Sequence, residues 1–198
     1  VLGNLNDFKQ SDLVAVNDLT DVDKYMLVEL NNLIDGYHQA YDNYDFADAN
    51  QQILNYFTNV LSSFYMDFTK DILYIEKADS LRRRQVQTVL YYHAKAMMKL
   101  ISPVLVFTAE ELHDHFHCDE NKAESIFLEP NVEKVVIENS DEIKSYFDRF
   151  LLLRKDVLKV LETLRNDKVI KSSNDVSIDD IISVKLHEGA IKAKVVEK

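Results

Sequence analysis

The sequence predicts a mainly α protein, an antiparallel helix bundle followed by a small β element at the C-terminus. Apolar residues recur every three or four positions over most of the chain, as on the buried face of a helix. The 198 residues include only three Gly and two Pro, fewer than the turns of an all-β chain need. Capping residues stand directly before the apolar repeats, which fixes where each helix is expected to begin.

The first two helices are predicted from a capping residue and the apolar repeat behind it. Thr20 with Asp23 matches a capping box, and the repeat then places Leu27, Leu30, Ile34, Tyr37 and Tyr41 on one face. Asp45 is the predicted cap of a second helix, which should continue for about 30 residues, or roughly 45 Å at 1.5 Å per residue. Its expected buried positions are Phe46, Ala49, Ile53, Phe57, Val60, Phe64, Phe68 and Ile72.

Two further helices follow. The third is expected to begin at Ser80, to kink at Pro103 and to continue as far as Phe116. Ser140 is the predicted cap of the fourth, whose core positions should be Ile143, Phe147, Phe150, Val157, Leu161 and Leu164. Four amphipathic helices joined by short links favour an antiparallel bundle.

After Arg165 the pattern changes from helical to alternating. Apolar and polar residues alternate over 176–178, 182–186 and 190–196, and residues 187–189 read as a hairpin turn. We therefore expect a helical domain over 1–172 and a short β tail over 173–198.

The net charge of −11 is unevenly distributed. Segments 61–105 and 149–198 are each net positive by three, whereas 1–60 and 106–148 are net negative by eight and by nine. This pattern allows local binding of a polyanion, with modest affinity and strong salt dependence. The single cysteine, Cys118, excludes an internal disulfide, and no apolar run has the length of a membrane span. Because the chain starts without Met, we expect it to be a piece of a longer protein.

Three consecutive arginines occupy the first turn of the third helix. Cations are unfavourable there by about 0.3–1 kcal/mol each, because the free N–H groups carry partial positive charge. Those N–H groups and the guanidinium forks together would bind phosphate. Arg82, Arg83 and Arg84 are therefore predicted to form a phosphate-binding surface, extended by Gln85. The alternative is that they form ion pairs with acidic residues nearby.

Other candidate contacts lie at helix ends. Lys70 and Tyr74 close the second helix, and Tyr74 would either stack on an unpaired base or cover the edge of the core. Arg165, Lys168 and Lys171 follow the fourth helix, where cations are also favourable for purely structural reasons.

The histidine-rich stretch at the end of the third helix resembles a metal-binding run, but we do not predict a metal site there. His113, His115, His117 and Cys118 come from one short run, whereas structural zinc sites take ligands from separated segments. Glu110 and His113 have the spacing of a di-iron motif, but the second copy at Asp35 and His38 lacks the required glutamate. We predict neither a metal site nor catalytic residues in this chain.

Several motifs resemble one protein family. The stretch ADSLRRRQVQTVLY at 78–91 resembles the ADSxRRRxxQTVLY run of bacterial-type isoleucyl-tRNA synthetases. LSSFYMD at 61–67, FTAEE at 107–111 and RNDKVI at 165–170 resemble further motifs of that family, in the same order. The resemblance covers nearly the whole chain, although Lys171 stands where the family often has Gly.

The resemblance implies the helical domain that binds the anticodon stem-loop of isoleucine tRNA. The family's enzymes join isoleucine to tRNA with ATP and Mg²⁺, and they carry zinc in a C-terminal module. The catalytic and zinc domains are not in this sequence, so we expect no cofactor and no activity in this chain alone. The implied partners are isoleucine tRNA and those two domains, in a cytoplasmic monomer with no membrane contact. The alternative is a helical interaction module whose apolar groove binds a partner helix.

Overall fold

The computed structural model describes residues 1–166, 181–185 and 190–194, with side chains described as far as residue 163. The chain divides into two compact units, Val1–Ile143 and Lys144–Lys198. The predicted mainly α fold is confirmed. Among the described residues, none of the helices combines the length and apolar character that crossing a membrane requires.

The chain begins with three short 3-10 helices, Leu2–Leu5, Gln10–Asp12 and Val16–Asp18, followed by α1, Asp21–Asp42. The predicted capping box at the start of α1 is wrong. The Thr20 hydroxyl makes no bond to the backbone and instead donates to the Asp23 carboxylate at 2.7 Å. Asp23 is needed elsewhere in the core, as described below.

The predicted second helix is one continuous helical stretch made of three parts. These are α2, Phe46–Asn55, a π-helix, Tyr56–Met66, and α3, Asp67–Ile75. The Asp45 cap is confirmed, since its carboxylate accepts the backbone N–H of Asp48 at 3.0 Å. The overall length is as expected, but the π segment was not predicted.

The π-helix changes which side chains face the core. Its turns are wider than those of an α-helix because each hydrogen bond closes a larger ring. The predicted stripe holds at Ala49, Ile53 and Phe64, whereas Phe46 is 47% exposed and the other buried positions lie one residue away from those expected. Buried residues in this part are Tyr56, Leu61, Phe64, Tyr65, Thr69 and Leu73, whereas the expected Phe68 is 40% exposed.

Helix α4, Leu81–Ile101, is capped as predicted, with the Ser80 hydroxyl accepting the Arg83 N–H at 3.2 Å. The predicted kink at Pro103 is wrong, because α4 ends before the proline. A turn closed by Leu105 N–H donating to Ile101 O at 2.8 Å leads into α5, Val106–Asp114.

Helices α1 and α4 each run antiparallel to the α2–α3 stretch. In α1, Asp23 bonds to Tyr65, whereas Met26, which comes later in α1, bonds to the earlier residue Tyr56. The two helical stretches therefore run in opposite directions. Along α4 the order reverses in the same way, since Arg82 reaches the Asp23–Tyr65 pair and His93 bonds to Tyr56. The core of the first unit lies between these three stretches.

Helix α6 spans Ser140–Asn166, so Ser140 is its first residue rather than its cap. Strands β1, Ile181–Lys185, and β2, Ala190–Lys194, pair antiparallel with Val184 opposite Ile191. The expected strand at 176–178 and the expected turn at 187–189 lie outside the described residues.

Candidate nucleic-acid interface

Arg82 closes a buried ion pair at the start of α4. Its guanidinium donates to both oxygens of the Asp23 carboxylate, which is 0% exposed, while Arg82 itself is 28% exposed. The same carboxylate accepts the Tyr65 hydroxyl at 2.6 Å and the Thr20 hydroxyl at 2.7 Å. Burial, together with the nearby Asp23 charge, raises the pKa of Tyr65 well above its ordinary value, so that hydroxyl stays a donor. Three donor side chains therefore meet at the Asp23 carboxylate of α1. They come from the segment before α1, from the π-helix and from α4.

Arg83 and Arg84 hold the N-terminal segment against α4. Arg83 donates to the Asp7 carboxylate at 3.0 Å, and Arg84 donates to the Asp7 carbonyl at 2.9 Å. The Arg84 guanidinium lies 5.7 Å from the centre of the Phe8 ring, which is itself buried. Each of the two arginine side chains is only 19% exposed.

These contacts overturn the premise behind the phosphate-binding prediction. That prediction assumed that no structural gain offsets three cations in a first helical turn. In the structure each guanidinium has a carboxylate within 4.0 Å, which offsets the dipole and gives the run a structural role. RNA contact by these arginines stays a prediction.

We had expected Gln85 to extend the polar surface of the arginines, but it does not. Its side chain is buried, donates to the Asp18 carbonyl at 2.7 Å and accepts from Arg82 at 3.1 Å. An amide in the core needs both partners, and here it receives them from the N-terminal segment and from the preceding turn of its own helix.

The end of α3 and the turn into α4 form an exposed tip. Tyr74 is 77% exposed, so it does not cover the edge of the core. Lys70 is also exposed, with only a surface ion pair to Asp67 at 3.2 Å. We call this surface the bundle tip and define it as Lys70, Tyr74, Ile75, Lys77 and Leu81.

Two members of the bundle tip were missed by the sequence analysis. Ile75 is 79% exposed and Leu81 is 63% exposed, so the tip presents three large apolar side chains to solvent. A signal was available for Leu81, which follows the Ser80 cap directly and lies off the α4 repeat of Val86 and Leu90.

The bundle tip together with the acids around it is net negative by two. Lys70 and Lys77 are accompanied by four exposed acids, Asp67, Asp71, Glu76 and Asp79. With the arginines engaged in ion pairs, this surface offers apolar and aromatic contact more than a concentrated positive charge. Such a surface suits unpaired bases better than a run of phosphates.

Comparison with known proteins identifies the family. The model of the anticodon-binding domain of tRNA ligases matches residues 23–180. The chain belongs to this family. It is 48% identical over 177 residues, 89% of its length, to the isoleucine–tRNA ligase of Bacillus subtilis. The sequence identity is also 48%, over 90% of the chain, to the isoleucine–tRNA ligases of Bacillus mycoides and Bacillus cereus.

The anticodon-binding domain spans about 19% of the length of each of these relatives. The predicted resemblance to isoleucyl-tRNA synthetases is thus confirmed for this domain. The family match over residues 23–180 includes the bundle tip, the arginine run and the whole of α6.

The basic cluster after the fourth helix is only partly described. Arg165 lies in the last turn of α6, outside the residues whose side chains the structure describes, and Lys168 and Lys171 lie outside the described residues altogether. Their contact with RNA stays a prediction.

The histidine-rich run has structural partners. His113 is buried with its Nε2 3.3 Å from a Glu129 oxygen, and the exposed His115 bonds to the Glu111 carbonyl at 2.8 Å. Cys118 is buried, and this burial raises the pKa of its thiol to about 11. In the part of the chain that the structure describes, no group of three or more His, Cys, Asp or Glu is arranged to hold a metal ion.

Proposed function

We propose that this domain binds the anticodon arm of isoleucine tRNA, within a synthetase that joins isoleucine to that tRNA using ATP and Mg²⁺. The relatives that support this are named isoleucine–tRNA ligases. Binding of the arm, rather than chemistry, is the role of the domain. Its further partners are the catalytic domain and a zinc-containing module of the same protein, in a cytoplasmic monomer.

The observation that carries the proposal is the exposure of Tyr74 at the bundle tip. Large apolar side chains grouped on a polar surface mark a binding site more often than chance. RNA loops are recognised by stacking their unpaired bases on aromatic side chains, and Tyr74 offers a ring that is 77% exposed. Ile75 and Leu81 extend that platform, and Lys70 supplies an ammonium for a neighbouring phosphate.

The antiparallel bundle supports this tip. The Arg82–Asp23 pair ties the start of α4 to the start of α1, and Arg83 also donates to the Glu76 carbonyl at 3.3 Å in the turn itself. A turn fixed in this way limits the movement of the adjoining backbone that carries Tyr74, which reduces the ordering cost of binding. We therefore propose Arg82 and Arg83 as positioning residues for the tip.

The test compares two exposed tyrosines. Tyr74→Ala should weaken binding of the isoleucine anticodon stem-loop by about tenfold, since stacking on one base contributes roughly 1–3 kcal/mol. Tyr44→Ala is the matched control, because Tyr44 is 82% exposed and lies beyond the far end of α1. Fluorescence anisotropy at low and moderate salt measures both.

Equal affinity of the Tyr74→Ala and Tyr44→Ala variants would contradict the tip as the binding surface. Binding should also weaken as salt increases, because phosphate contacts release counterions. A partner helix in an apolar groove would show no such dependence.

A further inference from the structure

A cavity separate from the bundle tip lies in the first unit. It has a volume of about 350 Å³ and is bounded by α4, α5 and the irregular segment 119–135. Its polar lining includes Tyr92, Lys95, Lys99, His113, Lys122 and Glu129. Lys95 is 14 positions after Leu81, or about 21 Å farther along α4 at 1.5 Å per residue. The size falls within the range of pockets that hold small ligands.

Two ammonium groups at this cavity are bound only by carbonyls. Lys99 donates to Ile126 O at 3.0 Å and to Glu129 O at 2.6 Å. Lys122 donates to His113 O at 2.6 Å and to Asp114 O at 3.0 Å. An ammonium has three N–H donors, so each lysine keeps one.

Neither of these lysines has a carboxylate within ion-pair distance among the residues that the structure describes. Lys95 differs, since it pairs with Asp119 at 2.7 Å. Carbonyl groups orient an ammonium without cancelling its charge. Lys99 and Lys122 both line the cavity, Lys122 at the His113 carbonyl and Lys99 at the Glu129 carbonyl. Together they favour an anion.

The His113 side chain lines the same cavity. His113 is 2% exposed, and its Nε2 is 3.3 Å from Glu129. Its other ring nitrogen, Nδ1, is buried and has no hydrogen-bond partner among the described residues. The ring is thus part of the cavity wall and is held by Glu129, while Nδ1 is enclosed by protein.

The remaining walls are aromatic and apolar. The half-buried Tyr92 ring meets the Tyr91 ring edge to face at 5.5 Å, and Leu30, Met98 and Phe116 also line the cavity. Carboxylates of Asp119, Glu129 and Glu133 provide acceptors beside the lysine donors. A planar ring with both donors and acceptors, attached to an anion, satisfies all of these groups at once.

We propose that this cavity receives one nucleotide, with its base against Tyr92 and its phosphate near Lys99 and Lys122. The source is the bound RNA strand, because bases unstacked from a loop are held between aromatic and apolar side chains. A free mononucleotide offers the same chemistry and is distinguished by the experiment. The proposal rests on the proposed function in that the strand is tRNA, although its binding surface is a separate one.

The experiment uses the full 198-residue chain. Affinity for the anticodon stem-loop of isoleucine tRNA is measured by anisotropy for Tyr92→Leu and for Lys122→Gln, which keeps an N–H donor and removes the charge. Tyr44→Leu and Lys134→Gln are the controls, since both residues are exposed and lie outside the lining of the cavity. Each cavity variant should bind about tenfold more weakly and each control within about twofold of the wild type. Circular dichroism confirms that every variant is folded.

A second readout follows His113 directly. Nitrogen chemical shifts of the His113 ring are recorded with the stem-loop and, separately, with adenosine monophosphate. A shift with the stem-loop supports the proposal. Cavity variants that bind RNA like the wild type, with an unshifted His113, overturn it. A shift with the mononucleotide alone overturns the RNA source.

The proposed function and this inference fail differently. If Tyr74→Ala weakens RNA binding and the cavity variants do not, the tip stands and the cavity proposal is wrong. If the wild-type chain binds no stem-loop, the proposed function is wrong and so is the RNA source for the cavity.

Discussion

Arg82, in the first turn of α4, is paired with the fully buried carboxylate of Asp23, in the first turn of α1, although 59 residues separate them in sequence. The pair joins two helices of the bundle at the end where the tip is formed. It also explains why a cation stands where the helix dipole disfavours one. The ion pairs of the arginine run therefore stabilise the fold, and phosphate binding by these arginines stays a prediction.

Removing Arg82 should therefore destabilise the fold. Arg82→Leu leaves the Asp23 charge buried without its partner, and we expect a loss of about 2–4 kcal/mol in the free energy of unfolding. Lys70→Leu is the control, because its exposed pair with Asp67 should contribute less than about 1 kcal/mol. Urea unfolding measures both, and equal stability of the two variants would contradict the structural role of Arg82.

The N-terminal segment should loosen when Asp7 is changed. Asp7→Ala removes the acceptor of Arg83 and of the buried Gln87 amide, which donates to it at 2.8 Å. We expect a loss of about 1–3 kcal/mol, since one N–H of the buried amide is left unpaired while the other still donates to the Asn4 carbonyl at 2.9 Å. Amide exchange of residues 1–19 should increase more than that of α1. Asp42→Ala, at the exposed end of α1, should change neither, and a similar response in both variants would show that Asp7 anchors nothing.

His93 should make stability depend on pH. Its Nδ1 lies 2.7 Å from the Val89 carbonyl and must donate, so Nε2 accepts the Tyr56 hydroxyl at 2.8 Å. Burial lowers the pKa of His93 from 6.5 to about 4, although the hydrogen bond to Val89 opposes this. The unfolded chain therefore binds the proton more readily than the folded one between these values, and stability falls as pH decreases through that window.

We expect His93 to account for a loss of about 2 kcal/mol between pH 7.5 and pH 5. His93→Gln, which cannot be protonated, is the matched variant. It should be less stable than the wild type at pH 7.5, and the difference should shrink at pH 5. A constant difference between the two proteins at both pH values would show that His93 does not titrate differently on folding.

The sequence predicted those features that depend on neighbours along the chain. Asp45 and Ser80 were placed correctly as caps because each bonds to an N–H three residues later. The family was predicted from contiguous motifs for the same reason. The π-helix was missed because its apolar spacing, with Phe57 and Val60 present, fits an ordinary α-helix equally well.

The partners of the arginines could not be predicted from local patterns. Asp23 and Asp7 are 59 and 76 residues from Arg82 and Arg83, and only the folded bundle brings them together. Tyr74 shows a different case, since its exposure excludes the interpretation that it covers the edge of the core, while stacking on a base stays a prediction.

The most direct test of anticodon recognition by this domain compares two anticodon sequences. The wild-type chain is titrated with the anticodon stem-loop of isoleucine tRNA and with the same stem-loop carrying an altered anticodon. We predict several-fold weaker binding of the altered RNA, and a further loss for both RNAs with Tyr74→Ala. Equal affinity for the two anticodons would contradict recognition of the isoleucine anticodon by this domain.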